Sequence, residues 1–316
     1  MQISVVIPLF NEAESLPELM EWIHRIMNTH NYSYEVVMVD DGSDDNSWET
    51  ISNLRVHYPG LKGIKLQRNY GKSAALNEGF KMAQGEVVIT MDADLQDSPD
   101  EIPELYEMIT QQGFHLVSGW KKKRYDNTFT KNIPSKIYNA VARKSSGIML
   151  HDFNCGIKAY QLKVIKSIEV FGEMHRYIPI LAKWAGFKKI GEKVVVHQAR
   201  KYGTTKFGWE RFVNGFLDLM TIQFLSKFGK KPMQLFGLVG TLFFLIGFGA
   251  FGTIIFDKFM NPEYSVTNKP AFFIAITTMI IGVQLFLAGF IAELVNRNAP
   301  DRNTYLVSDK IGFTHS

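Results

Sequence analysis

The chain has 316 residues, 46% of them apolar, so it holds enough hydrophobic side chain for a packed core and is not a disordered polymer. Cys155 is the only cysteine, which excludes an internal disulfide framework and a thiolate zinc site and favours a reducing compartment. A net charge of +4 is mild and points to no nucleic-acid partner, while a mean hydropathy of -0.05 averages over polar and apolar stretches that are in fact segregated.

Met1 to Phe10 has no basic flank and only a short apolar run before Asn11 and Glu12, so no signal peptide is read there. Residues 1 to about 230 are therefore expected to stay on the side where they are made. Short β-rich runs at Ile3–Ile7, Glu35–Val39, Gly63–Leu66 and Glu86–Met91 alternate with helical patterns at Glu14–Asn28, Trp48–His57 and Ser73–Ala83. That order predicts right-handed βαβ units with parallel strands, and in such sheets ligands bind beyond the carboxyl ends of the strands.

The residues that follow these strands are acidic: Pro8-Leu9-Phe10-Asn11-Glu12, then Asp40-Asp41-Gly42-Ser43, then Asp92-Ala93-Asp94-Leu95-Gln96-Asp97. Alone, Asp-Asp-Gly-Ser is an ordinary turn or helix cap. Several carboxylates converging on one crevice repel one another unless a cation sits among them, and hard Mg²⁺ or Mn²⁺ suits oxygen ligands and bridges to a diphosphate.

Between Lys121 and Lys144 the chain carries Lys121, Lys122, Lys123, Arg124, Lys131, Lys136, Arg143 and Lys144 against the single acid Asp126. Ile133, Ile137, Tyr138, Ala140 and Val141 recur there at helical spacing, which predicts a helix at a membrane surface with basic residues at its entry. A last soluble strand is expected at Lys193–Val196, followed by the basic residues Arg200 and Lys206. Phe207 to Phe228 places Trp209, Phe212, Phe216, Met220 and Phe224 on one side and predicts a second in-plane amphipathic helix.

Leu235–Phe256 and Ala271–Ala292 each run 22 residues with Gln284 as the only strongly polar side chain. At ~1.5 Å per residue each reaches about 33 Å, enough for a hydrocarbon core of roughly 30 Å. Lys227, Lys230 and Lys231 precede the first span, and Arg297, Arg302 and Lys310 follow the second. The loop between has Lys258 and Lys269 balanced by Asp257 and Glu263, so both ends are expected to be cytoplasmic. Gly247-x-Gly249-x-x-Gly252 spells a dinucleotide fingerprint, but inside an apolar span with no preceding strand it reads as small-residue helix packing. His151, Cys155 and His175 have no zinc spacing and read as packing or substrate contacts.

Val5-Val6-Ile7-Pro8-Leu9-Phe10-Asn11-Glu12, with the Asp40 and Asp92 motifs above, resembles family 2 glycosyltransferases of the GT-A fold. Val117-Ser118-Gly119-Trp120, Leu150-His151-Asp152-Phe153, Glu173-Met174-His175-Arg176, Arg200-x-x-Gly203-x-Thr205-Lys206 and Asn303-Thr304-Tyr305-Leu306-Val307 are similar to its polyprenyl-phosphate branch, the GtrB-type and dolichol-phosphate mannosyltransferase-type enzymes. Phe10 stands where members often have Tyr, and Thr205 where many have Ser; both keep size or hydroxyl.

The resemblance implies an α/β fold: a GT-A, Rossmann-like mixed-sheet catalytic domain, amphipathic interface helices and two transmembrane helices. It places Pro8, Glu12 and Asp41 against the nucleoside with Asp40 close behind, the metal on Asp94 with Asp92 and Gln96 assisting, and a homo-oligomer, a tetramer in that branch. Arg200 and Lys206 would neutralise the diphosphate. Lys123, Arg124, Ser135 and Lys136 are the nearest matches to positions that contact the acceptor phosphate, and Asp152 would orient the acceptor or take a residual proton.

The expected reaction moves a sugar from a UDP- or GDP-sugar to polyprenyl phosphate, undecaprenyl phosphate foremost, with inversion. The alternatives are a processive polysaccharide synthase, whose Gln-x-x-Arg-Trp is absent here, and a non-enzymatic membrane assembly subunit, which leaves the acidic strand ends unexplained. The expected divisions are a cytoplasmic catalytic domain over 1–206, a juxtamembrane segment over 207–232, a membrane anchor over 233–295 and a cytoplasmic tail over 296–316, in the inner membrane.

Overall fold

β1, Ile3–Leu9, is buried at all seven positions, the pattern of a central strand covered on both faces. A computed structural model of the chain describes residues 1–122, 139–140, 142–143, 146–198, 201, 232–261, 263, 265–297 and 305–312. Around β1 the chain adds β2 (Tyr34–Asp40), β3 (Leu61–Leu66) and β4 (Val87–Thr90), all parallel to it or to its neighbour. Helix α1, Leu16–Thr29, opens with a proline in its first turn and buries Leu16, Leu19, Met20, Ile23 and Met27, an apolar stripe of helical period against the sheet. Helices α2 (Ser47–His57) and α3 (Lys72–Met82) return the chain to the next strand, as the βαβ reading predicts.

Beyond β4 the sheet becomes mixed. Helix α4 (Ile102–Thr110) leads to β5 (Leu116–Trp120), and β6 (Lys158–Gln161) inserts antiparallel between β4 and β5. Helices α5 (Leu162–Lys166) and α6 (Ile178–Trp184) follow, and β7 (Ile190–Val194) pairs parallel with β5. The strand expected at Lys193–Val196 thus begins three residues earlier. Its Val-Val-Val run looks like a strand core, yet Val194 and Val196 are exposed, and pairing with β5 starts at Ile190.

Nor is β7 the last strand. β8, Val307–Ile311, comes from the carboxyl-terminal segment and pairs antiparallel with the edge strand β3, giving eight strands in the order β7-β5-β6-β4-β1-β2-β3-β8. The chain divides into two compact units, residues 1–219 with 303–316, and residues 220–302. The helix expected within Lys121–Lys144 lies mostly, and that over Phe207–Phe228 entirely, outside the described residues.

The second unit contains two long helices, α7 (Pro232–Met260) and α8 (Pro270–Arg297). Their apolar stretches of 28 and 26 residues are longer than the 22-residue runs read from composition, and each is long enough to cross a bilayer. Only 17% and 11% of their most apolar windows are buried, so Leu238, Leu245, Ile246, Phe273 and Ile274 face outwards, unlike the core helix of a soluble protein. The helices pack through small residues: a Cβ on Gly240 would lie 2.6 Å from Gly282 O, and one on Gly282 2.6 Å from Gly240 O. Of the Gly247-x-Gly249-x-x-Gly252 glycines read as helix packing, Gly247 packs against Ala275 and Met279, while Gly249 and Gly252 have open space before them and do not take part.

Candidate active site

The carboxyl ends of β1, β2 and β4 open on a cavity of about 290 Å³ lined by Pro8, Leu9, Phe10, Glu12, Asp41, Asn69, Gly71, Lys72, Ala75, Asp92, Ala93 and Asp94. Of the residues expected at the donor site, Pro8, Glu12, Asp41, Asp92 and Asp94 therefore meet in one place. The loop after β1 is stitched to the loop after β2. Asn11 N–H donates to Ser43 Oγ at 2.9 Å, Glu12 N–H to Ser47 Oγ at 3.0 Å and Asp44 N–H to Asn11 Oδ1 at 2.9 Å. Asn11 adopts φ 57°, a left-handed turn that asparagine tolerates.

Asp40 is fully buried, and its Oδ1 accepts the Ser43 N–H at 2.8 Å, so it shapes the turn on which Asp41 sits. The Asp41 carboxylate accepts the N–H groups of Tyr70 and Gly71, each at 2.8 Å. Burial pushes its pKa above the ordinary value; the two N–H groups pull against this and the Asp40 charge adds to it.

The acidic loop after β4 is held differently. Lys72, at the start of α3, places Nζ 2.5 Å from Asp92 Oδ1, and Lys121 places Nζ 2.6 Å from Asp97 Oδ1. Burial works against the charged form of Asp92, but the ammonium groups of Lys72, Lys121 and Lys158 prevail and hold its pKa at about 2. Asp97 is fully buried, and that burial, with the charges of Asp92 and Asp94, raises its pKa despite Lys121. Asp94 accepts the Gln96 N–H on Oδ1 at 3.2 Å, across a turn in which Leu95 takes φ 59°. Lys121, expected in a membrane-surface patch, is thus a nearly buried partner of Asp97, with 12% of its side chain exposed.

A second pocket of about 20 Å³ shares Pro8, Lys72 and Asp92 with the main cavity and is lined also by Asn154, Cys155, Gly156, Lys158, His175 and Arg176. His175 Nδ1 is 3.1 Å from Ser73 Oγ, and burial, reinforced by Lys72, Arg176 and Lys158, keeps its imidazole well below the ordinary 6.5 and so neutral at pH 7. Burial lowers the Lys158 pKa and pushes the Cys155 thiol up to about 12, so this cysteine is no nucleophile. A Cβ on Gly156 would stand 2.6 Å from Asp92 Oδ2 and 2.7 Å from Asp97 Oδ2; the two carboxylates occupy the space of a side chain.

Asp152 is buried and lines neither cavity; its Oδ1 accepts the Asn154 N–H at 3.0 Å. Its turn is anchored by His151, which stacks on Trp120 with ring centroids 4.1 Å apart and donates its N–H to Glu192 Oε2 at 2.7 Å. After β7 the chain runs along the acidic loop: Val196 N–H donates to Glu101 Oε1 at 2.9 Å, and Gln198 N–H to Gln96 O at 3.0 Å. Arg200, Lys206, Lys123, Arg124, Ser135 and Lys136 lie outside the described residues.

Lys72, Lys158 and Gly156 are the site residues that sequence reading missed. The strand-end rule itself points to Lys72, since Gly71-Lys72-Ser73 follows β3 as the acidic motifs follow the others. Lys158 and Gly156 arrive through β6, whose antiparallel insertion no local pattern announces.

Among the described residues no three His, Cys, Asp or Glu side chains are grouped to hold a metal. Asp94 lines the main cavity beside Asp92, where its carboxylate is of the type that suits a divalent ion, while Lys72 and Lys121 lie against Asp92 and Asp97. The donor set fits an ion such as Mg²⁺ or Mn²⁺, which binds through one or two carboxylates, substrate phosphates and water.

The sequence model of glycosyl transferase family 2 matches residues 4–169. The dodecaprenyl-phosphate galacturonate synthase of Rhizobium johnstonii is 34% identical over 308 residues, covering 94% of this chain and 88% of that protein. The undecaprenyl-phosphate 4-deoxy-4-formamido-L-arabinose transferase of Aeromonas hydrophila is 35% identical over 301 residues, covering 95% and 90%. Among solved structures, the glucosyl-3-phosphoglycerate synthase of Mycobacterium tuberculosis with Mn²⁺, UDP and glucosyl-3-phosphoglycerate superposes with a TM-score of 0.54 at 18% identity, over 72% of this chain and 80% of that one, a likeness of fold.

Proposed function

The chain belongs to glycosyl transferase family 2, and from that membership we propose that it transfers one sugar from a UDP- or GDP-sugar to a polyprenyl phosphate, undecaprenyl phosphate foremost, with inversion at the anomeric carbon. The observation that carries this reading is the convergence of Pro8, Glu12, Asp41, Asp92 and Asp94 on one cavity, in a chain that also has two helices able to cross a bilayer. The relatives named for transfer to dodecaprenyl or undecaprenyl phosphate align over both parts.

Asp41, fixed by two backbone N–H groups, keeps a second lone pair on each oxygen for N–H groups of the base, with Pro8 and Glu12 beside it and Asp40 setting the turn. Asp94 would hold the divalent ion, with Gln96 steadying it through its N–H and Asp92 carrying the Lys72 charge in the cavity wall. The Mn²⁺ in the structurally similar synthase supports such an ion, which when bound neutralises the departing diphosphate. Arg200 and Lys206 are assigned to the same diphosphate, and Lys123, Arg124, Ser135 and Lys136 to the acceptor phosphate.

In the reaction an oxygen of the lipid phosphate bonds to the anomeric carbon as the bond to the diphosphate breaks, and the nucleoside diphosphate leaves with the electron pair. A phosphate monoester has its second pKa at about 6, so the nucleophile is largely ionised at pH 7 and little is asked of a general base. Asp152, buried within the 151–154 turn, is suited to shaping that turn through the Asn154 N–H. Catalysis rests on positioning and on charge neutralisation.

The catalytic unit and both termini face the cytoplasm in this reading, at the inner membrane. Protease added outside sealed right-side-out vesicles is expected to reach only the 257–270 loop, and cleavage near Lys121 would reverse that topology. The reaction is tested by supplying membranes containing the protein with radiolabelled UDP- and GDP-sugars. Label is expected in an organic-extractable product labile to mild acid; label only in an insoluble polymer would favour a processive synthase, and none with any donor would refute the transfer.

A further inference from the structure

We infer that the carboxyl-terminal strand and Tyr305 are a positioning element of the donor site, ordering the 67–72 loop whose backbone N–H groups hold Asp41. The inference rests on the donor role proposed for Asp41. Its starting point is the loop itself: Gln67, Arg68 and Asn69 are exposed, and the core meets them through their backbone, where a Cβ on Gly42 would stand 2.4 Å from Arg68 C and 2.7 Å from Asn69 N. Yet this stretch supplies the Tyr70 and Gly71 N–H groups that grip Asp41 at 2.8 Å each, and then Lys72, which neutralises Asp92. A loop with two such tasks is held on its inner side by the Gly42 turn and gains from a support on its outer side, since ordering exposed chain opposes binding.

That support is β8. Its ladder pairs Gly63 with Ile311, Ile64 with Lys310, Lys65 with Asp309 and Leu66 with Val307, with an irregularity at Lys65/Leu66. It continues past the end of β3, where Gln67 N–H donates to Leu306 O at 2.8 Å. One residue earlier in the tail, the Tyr305 ring meets the Tyr70 ring edge to face, centroids 5.5 Å apart and planes at 61°. The Arg68 guanidinium also lies 4.6 Å from the Tyr70 ring centroid. Tyr70 is therefore clamped by its ring while its N–H holds the nucleotide-site carboxylate. The contact runs from Tyr305 to Tyr70 to Asp41 with no gap in the chain of neighbours, and Tyr305 itself does not line the cavity.

The sequence is consistent with a positioning role. Val307-Ser308-Asp309-Lys310-Ile311 alternates poorly and is mostly exposed, so burial alone does not explain why it closes the sheet edge. What the pairing accomplishes locally is to carry backbone hydrogen bonding, across the irregularity at Lys65/Leu66, up to the residue before Arg68 and to deliver one aromatic ring against Tyr70.

The test uses the full-length protein in membranes or detergent, as wild type, Tyr305→Ala and Tyr305→Phe. Loss of one aromatic contact corresponds to roughly a threefold to tenfold effect. Tyr305→Ala is expected to raise the apparent KM for the sugar nucleotide by that factor, leave the KM for polyprenyl phosphate at its wild-type value, and speed hydrogen exchange at the Tyr70 and Gly71 amides. Tyr305→Phe, which keeps the ring, is expected to restore all three. Wild-type exchange at these amides together with an unchanged donor KM in Tyr305→Ala would overturn the inference. So would equal rises in both KM values, which would report a general loss of structure. Failure of the donor-site reading shows separately: the wild type would then bind no nucleotide sugar by calorimetry, whatever the exchange at Tyr70 and Gly71 shows.

Discussion

Gly156→Ala adds one methyl group at the point where the acidic loop is packed most tightly. The new Cβ would stand 2.6 Å from Asp92 Oδ2 and 2.7 Å from Asp97 Oδ2, each about 0.7–0.8 Å short of the ~3.4 Å at which ordinary contact begins. Neither carboxylate can simply swing away, because Lys72 holds Asp92 at 2.5 Å and Lys121 holds Asp97 at 2.6 Å. The backbone is pinned as well, since Thr90 Oγ1 donates to Gly156 O at 3.0 Å. Alanine can adopt the Gly156 backbone, which is not left-handed, so a defect reports lack of space and not strain in φ. Overpacking of this size costs about 1–3 kcal/mol of stability. A misplacement of ~1 Å at reacting groups costs on the order of 10²-fold in rate. The variant should therefore remain folded with a Tm lower by several degrees, while sugar transfer to lipid, measured as initial rate of organic-extractable product, falls by about two orders of magnitude. A rate within threefold of wild type would refute the view that the Asp92–Asp97 packing sets the geometry of the site.

Asp94→Ala is expected to lose transfer by about three orders of magnitude or more with an unchanged Tm, and EDTA to silence the wild type equally without lowering its Tm; activity in EDTA would remove the metal from the scheme. His175, held neutral below 6.5, binds a proton more readily in the unfolded chain, so stability should fall as pH drops through that value. About 1 kcal/mol should be lost between pH 6.5 and 5.5, and His175→Gln should remove that component in denaturant titrations at the two pH values. Ala at Arg200 or Lys206 should weaken nucleotide binding in calorimetry without lipid present, whereas Ala at Lys123, Arg124 or Lys136 should spare it and raise the KM for polyprenyl phosphate. The reverse pattern would exchange the two sites.

The alternation of β1 to β4 with three helices was legible because each strand is a short apolar run closed by turn residues, and the same pattern located Asp41 and Asp94 at strand ends. The two membrane-length helices were legible from composition alone. What stayed hidden depends on long-range pairing. β6 reverses direction between β4 and β5 and brings Gly156 and Lys158 under the acidic loop, and nothing local in Lys158–Gln161 fixes that direction. Lys121 reads as one more charge in a basic run, and only the β5 geometry shows that it turns inward to Asp97. β8 carries Ser308, Asp309 and Lys310 in sequence, a polar tail by composition, and becomes a strand because β3 offers it an open edge.

Clustered acids in the sequence argued that a cation must sit among them, and the structure divides that demand. Asp92 and Asp97 face ammonium groups supplied by the chain itself, so this half of the cluster is compensated during folding and needs no ion. Asp41 accepts the N–H groups of Tyr70 and Gly71, and Asp94 that of Gln96, contacts that fix the direction of each carboxylate. A carboxylate oriented by amides is prepared to meet something from outside, in the proposed reaction the N–H of a base for Asp41 and a metal-bound diphosphate for Asp94. The two pairs are also mechanically linked, because Lys72 follows directly on the Gly71 N–H that holds Asp41. In the proposed reaction a movement of the 67–72 loop therefore alters the nucleoside side and the diphosphate side together, and the support of that loop would count among the determinants of donor binding.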